Sequence, residues 1–299
     1  MDIIKVLQEE LQIGYKQAEA AVGLIDEGNT IPFIARYRKE ATGSLNDEVL
    51  RNLDERLKYL RNLEEKKEQV ISSIREQEKL TPELEKQILE AMTMVAVEDL
   101  YRPYRPKRRT RAMIAKEKGL EPLADLIWLQ QIKEPVEGLA RAYVSEEKQV
   151  VSEAEAVAGA RDILAERISD QADYRSYIRK ITMDRGMIAS SAKDGEIQSV
   201  YEMYYQYEEL IKRCAGHRIL ALNRGEKEKV LTVKIQAPEE DIIRYLEKQV
   251  ITRNNPFTVP ILQETIRDSY DRLIGPAIER EVRSALTENA EAGAIKGFG

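Results

Sequence analysis

The sequence predicts a mainly α protein: a multi-helix array with an N-terminal helix-turn-helix-like module and a small β element in the C-terminal third. Three observations carry that expectation. Apolar residues recur at the 3–4 residue spacing of a helix face through most of the chain. Gly and Pro, the residues that interrupt helices, number 15 and 10 in 299 residues. Short alternating segments that suit strands occur only beyond residue 184.

Ile3, Ile4, Leu7 and Leu11 share one face of a first helix, and Ile13-Gly14-Tyr15 breaks it. A second helix, 16–26, carries Ala20, Ala21, Leu24 and Ile25 and stops at Gly28, a favourable C-terminal residue. Pro32 suits the first turn of a third, over 32–40, which ends near Gly43. Its Phe33 and Ile34 are expected in the core. Three short helices in about forty residues suit a compact module of which the helix-turn-helix is one type.

Asn46 can cap a long helix over 47–78, with Asp47 and Glu48 complementing the dipole of its first turn. Leu50, Leu53, Leu57 and Leu60 form its stripe, and Glu64 and Lys67 are expected to interrupt it. Its charges, acidic and basic in near balance, read as a solvated face. Thr81-Pro82 starts a helix to Val95, and Thr110 one that stops at Gly119. Pro122 opens another that carries Trp128, the capping box Ser152-x-x-Glu155 one to Ile168, and a further helix covers 170–183. Residues 186–191 and 230–236 are the strand candidates, with Leu231, Val233 and Ile235 on one side of the second. Helices resume at 239, and the last begins at Pro276. The expected domains are 1–45, the helical module; 46–184, a central helical region; and 185–299, helical with the small β element.

Composition excludes several classes. At 42% hydrophobic the chain can bury a core, and its longest apolar runs fall far short of the ~20 residues of a membrane span. The first fifteen residues are charge-interrupted and show no signal peptide, and the single Cys214 cannot form an internal disulfide. A cytoplasmic protein without membrane contact is expected. The net charge of −6 argues against coating nucleic acid through the overall field. A local basic surface remains open.

Catalytic motifs are scarce. His217 is the sole histidine, three residues from Cys214, and two ligands do not complete a zinc site. A packed thiol with a hydrogen-bonded imidazole is the plainer reading. No P-loop pattern occurs, and Gly293, Gly297 and Gly299 lack the strand-then-helix context of a dinucleotide loop. No cofactor, metal, catalytic residue or small-molecule substrate is therefore expected. Tyr201, Tyr204, Tyr205 and Tyr207 could stack on bases, but Glu202, Glu208 and Glu209 surround them, and an amphipathic packing edge explains them better.

Residues 102–111 hold six cations, Arg102, Arg105, Lys107, Arg108, Arg109 and Arg111, and no acid. Pro103 and Pro106 are expected to keep the segment extended, and Tyr101 and Tyr104 interleave aromatic faces. Arginine suits bidentate phosphate contact and stacking, so the segment suits tracking a nucleic-acid backbone. The same arginines could instead brace neighbouring helices through the abundant acids. Arg36, Arg38 and Lys39 form a second cluster, at the place of a recognition helix if 3–40 is a helix-turn-helix.

These segments also carry a resemblance. Gly28-Asn-Thr-Ile-Pro-Phe-Ile-Ala-Arg-Tyr-Arg-Lys-Glu-Ala-Thr-Gly43 resembles the signature of the bacterial transcription accessory protein Tex family. Glu98 to Arg111, with Glu117-Lys-Gly-Leu-Glu-Pro-Leu-Ala124, resembles that family's next block, and His217-Arg-Ile-Leu-Ala-Leu-Asn-Arg-Gly-Glu226 a third. The resemblance implies a multidomain nucleic-acid-binding protein related to a eukaryotic transcription elongation factor. It implies an N-terminal helical region, an RNase H-like domain, helix-hairpin-helix elements and an S1 domain. On that pattern Gly299 falls about where the RNase H-like domain would begin, so the chain is expected to be the N-terminal part of a longer protein. Its expected role is non-catalytic: scaffolding, and contact with RNA or DNA, weak in this part alone, with the transcription machinery as a further partner. A protein–protein scaffold without nucleic-acid contact is the alternative.

Overall fold

The computed structural model describes residues 1–106 and 108–297. The N-terminal module follows from its caps. Asp2 accepts the Lys5 amide at 3.1 Å and starts α1 (Ile3–Leu11). In α2 (Tyr15–Asp26) Gln17 does two jobs: it accepts the Gly14 amide at 2.8 Å and donates to the Thr42 carbonyl at 3.0 Å. Gly28, at φ +92°, turns the chain into α3 (Ile31–Tyr37), which Thr30 caps. The single helix expected over 32–40 is two. Arg38, at φ −125° and ψ 35°, separates α3 from the one-turn α4 (Lys39–Thr42), and Gly43 at φ +64° ends it.

Asn46 caps α5 (Asp47–Glu76), the spine of the N-terminal half. Its buried stripe runs Leu50, Leu53, Leu57, Leu60, Leu63, Lys67, Val70, Ile71, Ile74. Lys67 therefore does not interrupt the stripe: it lies within it, its ammonium donating to the Leu89 carbonyl at 2.8 Å and pairing with Glu64 at 3.1 Å. The helix expected from 82 to 95 is also two, α6 (Pro82–Glu90) and α7 (Met94–Tyr101), because Thr93 accepts the Ala96 amide and caps a new start.

Beyond a 3₁₀ turn at Arg102–Tyr104 come α8 (Arg111–Glu117), α9 (Glu121–Leu129), α10 (Val136–Ala140), α11 (Glu153–Ser169) and α12 (Ala172–Arg185). Strands β1 (Met187–Ala192), β2 (Gln206–Leu210) and β3 (Leu231–Gln236) make one antiparallel sheet in the order β2-β1-β3, with Ser190 opposite Tyr207 and Val233. Leu231, Val233 and Ile235 face inward as the alternation predicts. β2 is the element sequence reasoning missed: it holds part of the tyrosine cluster, and its acids, Glu208 and Glu209, hide the alternation. Helices α13 (Gly216–Lys227), α14 (Glu239–Val250), α15 (Val259–Ser269) and, after a π-helical turn at Tyr270–Ile274, α16 (Gly275–Gly297) complete the fold. Among the described residues no helix is long and apolar enough to cross a membrane.

Buried apolar side chains form two clusters. One is built around α5 and runs from Leu7 to Val97; the other runs from Ala112 to Ala290, around α11 and the sheet. Charge joins them. Arg179 of α12 donates to both carboxylate oxygens of Asp99 on α7, at 2.7 and 2.9 Å, and to Glu281 of α16 at 3.0 and 3.1 Å. Arg175 reaches Glu281 at 3.2 Å and Arg102 reaches it at 3.5 Å. Burial pushes the Asp99 carboxyl up, against the pull of Arg179, and pushes the Arg175 guanidinium down.

Candidate nucleic-acid interface

The basic segment begins on a stem fixed to α5. The Tyr101 hydroxyl meets Ser73 Oγ at 2.9 Å, and Gln77 Nε2 donates to the Tyr104 carbonyl at 2.7 Å. Lys66 pairs with Glu98 at 2.8 Å, and Glu98 also takes the Arg105 guanidinium. The prolines do not hold the whole segment extended. Arg102 is helical, at φ −49° and ψ −46°, although it precedes Pro103, which sits early in the 3₁₀ turn; extended backbone starts at Arg105, φ −63° and ψ 131°.

The cations then divide. Arg102 is half-buried and braces α16 through Glu281. Arg105, Arg108, Arg109 and Arg111 are exposed. Arg109 pairs with Glu117 at 2.8 Å, with both side chains more than half exposed, so a competing phosphate has little to displace. Arg111 opens α8, where a cation gains nothing from the helix dipole. Lys107 lies outside the described residues.

The second cluster sits on the module. Arg36 and Lys39 are exposed, and Arg38, at the break, pairs with Glu40 at 2.9 Å. Ile34 is fully buried as expected, whereas Phe33, expected in the core, is 42% exposed and Tyr37 is 59% exposed. Their rings lie 5.2 Å apart, tilted by 46°, and the Arg36 guanidinium is 5.6 Å from the Tyr37 centroid. Helical phase puts Arg36 opposite Ile34 and Phe33 to the side, but Tyr37, one turn after Ile34, shares its flank and is exposed where α3 ends at the Arg38 break.

The two clusters are each anchored to α5. The helix α3, which carries Arg36, packs against α5, and Gln77, just past the end of α5, donates to the Tyr104 carbonyl.

The other candidates resolve structurally. His217 is exposed in the first turn of α13, and the half-buried Cys214 adjoins Tyr207, Glu209 and Arg218, where burial and Glu209 push its thiol up. Among the described residues no group of three His, Cys, Asp or Glu side chains is placed to hold a metal. Tyr201 and Tyr204 are buried, and the Tyr205 hydroxyl donates to the Ile197 carbonyl at 2.5 Å.

Comparison with known proteins bears out the family resemblance. Residues 1–75 match the profile of the Tex-like protein N-terminal domain, and residues 131–298 the profile described as Tex central region-like. The chain is 48% identical to YdcI of Bacillus subtilis over 98% of its length, covering 41% of that protein. It is 39% identical to the transcriptional accessory protein Tex of Neisseria gonorrhoeae over its full length, covering 40% of it. A human protein named S1 RNA-binding domain-containing protein 1 is 30% identical over the full chain, which covers 31% of it. The chain thus spans about two fifths of the bacterial relatives and less of the human one. With both profiles in chain order and identities of this size over nearly its whole length, the chain belongs to the Tex family of transcription accessory proteins.

Proposed function

We propose that this helical region is a non-catalytic, nucleic-acid-contacting scaffold of a cytoplasmic transcription accessory protein. The observation that carries the reading is the exposure of four guanidinium groups, Arg105, Arg108, Arg109 and Arg111, within seven residues of chain that contain no acid. Arginines so placed meet phosphates in pairs and release counterions, which gives sequence-independent affinity. Arg36, Arg38 and Lys39 form a second, weaker contact on the N-terminal module. A relative named for an S1 RNA-binding domain supports RNA as one ligand, and the name of the Neisseria relative supports transcription as the setting.

A protein–protein scaffold is the second reading, favoured by one observation: Arg102 and Arg105 already have internal carboxylate partners, Glu281 and Glu98. Charge reversal separates the two. In the nucleic-acid reading, Arg108→Glu with Arg109→Glu loses affinity for a labelled oligonucleotide by tenfold or more at low salt and melts within a few degrees of the parent. In the scaffold reading the parent binds no oligonucleotide, and the reversal lowers only the melting temperature.

A further inference from the structure

We propose that Phe33 and Tyr37, with Arg36 beside them, form a stacking platform for an unpaired nucleobase. The inference rests on the reading that the chain contacts nucleic acid. It assigns to α3 a ligand class different from the duplex groove that a helix-turn-helix suggests.

The first ground is exposure without a packing reason. Ile34 anchors α3 in the core with no exposed surface, while the two rings one turn apart stand 42% and 59% exposed. An aromatic pair at i, i+4 gives a helix only about 0.2–0.5 kcal/mol. Two open rings on a seven-residue helix therefore gain little from the fold itself.

The second ground is charge. Residues 28–39 contain Arg36, Arg38 and Lys39 and no acid, and the next acid, Glu40, is held by Arg38 at 2.9 Å. Aromatic faces within such a stretch suit a strand whose bases stack while its phosphates meet the cations.

Geometry supplies the third. At 5.2 Å and a 46° tilt the two rings are not stacked face to face, and the Arg36 guanidinium lies over the Tyr37 ring. Thr30 caps the helix by accepting the Phe33 amide at 3.3 Å, so the rings stand on fixed backbone and lose little freedom on binding. At seven residues, α3 offers only about 10 Å of helix before the break at Arg38, a short reader for a major groove but enough for one or two bases.

The test uses the 299-residue chain with a fluorescein-labelled single-stranded RNA of about twelve nucleotides, within the usual site size, and a duplex DNA of equal length. The parent is expected to bind the single strand more tightly than the duplex at equal salt. Phe33→Ala with Tyr37→Ala is expected to weaken single-strand binding roughly 5- to 100-fold, the range for lost base–aromatic stacking. Duplex affinity and the dependence on salt stay as in the parent, because the phosphate contacts remain. Both side chains are exposed, and an unchanged melting curve confirms that the variant folds. As an independent readout, Phe33→Trp is expected to retain binding and to lose emission when the RNA is added, relative to the Trp128 background. Unchanged affinity in the double alanine variant, or unmoved emission of the Phe33→Trp variant at saturating RNA, overturns the platform while the nucleic-acid reading stands. Absence of binding by the parent to either probe overturns both.

Discussion

Replacing Arg179 with methionine strands a buried charge at the junction of the two apolar clusters. Arg179 is the partner of Asp99, donating to both its oxygens at 2.7 and 2.9 Å, and the Asp99 side chain is only 9% exposed. Glu281 is better provided for: without Arg179 it still has Arg175 at 3.2 Å and Arg102 at 3.5 Å. The loss therefore concentrates on Asp99. Breaking a buried pair by removing one partner costs about 3–5 kcal/mol, whereas replacing the whole pair by apolar groups is often close to neutral. At roughly 2–4 °C per kcal/mol for a chain of 150–250 residues, Arg179→Met lowers the melting temperature by on the order of 10 °C. Asp99→Leu added to Arg179→Met recovers most of that loss. The pair bridges α7 and α12, so the single variant also melts in two steps, with the α5 cluster first. Calorimetry and urea titration of the parent, single and double variants measure all three effects. A single-variant loss below about 1 kcal/mol, well short of the buried-pair range, or a double variant less stable than the single, refutes the account of the junction.

Other perturbations follow from the same geometry. Lys67→Met keeps the bulk of the buried stem but takes the donor from the Leu89 carbonyl; a loss of about 1–3 kcal/mol is expected in urea titration, with faster amide exchange at the end of α6. Gly186→Ala places a methyl group 2.3 Å from the Thr182 carbonyl oxygen, a backbone atom that cannot step aside, and should cost about 1–3 kcal/mol by the same assay. Asp99 gives a pH dependence of definite sign. Because its folded pKa is raised, its protonated form is favoured by folding, and its contribution falls as pH climbs from the ordinary value of about 3.9 through the raised one. The stability of Asp99→Asn relative to the parent should therefore rise across that window and level off above it. A flat difference in urea titrations between about pH 3.5 and 7 would contradict the assignment.

What the sequence made legible was local. Caps at Asn46, Thr81, Thr110 and Ser152 act over three residues, so a single sequence suffices to read them, and each starts a helix in the structure. Errors arose where distance mattered. Lys67 looked like a break in a stripe because its acceptor, the Leu89 carbonyl, lies 22 residues away. β2 was invisible because its pairing with β1 is tertiary and its edge position tolerates Glu208 and Glu209. Apolar type alone suggests that Phe33 is inward, but adjacent helix positions lie about 100° apart, so Phe33 and Ile34 cannot both face the core squarely. Among the basic residues, composition found the segment but not its division: only the position of Glu281 in α16, 179 residues from Arg102, shows that this one arginine is a brace.

The claim that the Arg105–Arg111 segment meets a phosphate backbone is tested most directly by the affinity of the unmodified chain for labelled RNA and DNA across a salt series. Three to six phosphate contacts predict that log affinity falls against log salt with a slope of roughly −2 to −5, flattened by Arg108→Glu with Arg109→Glu. No binding at the lowest salt, or a slope near zero, would contradict the account and leave the region a scaffold.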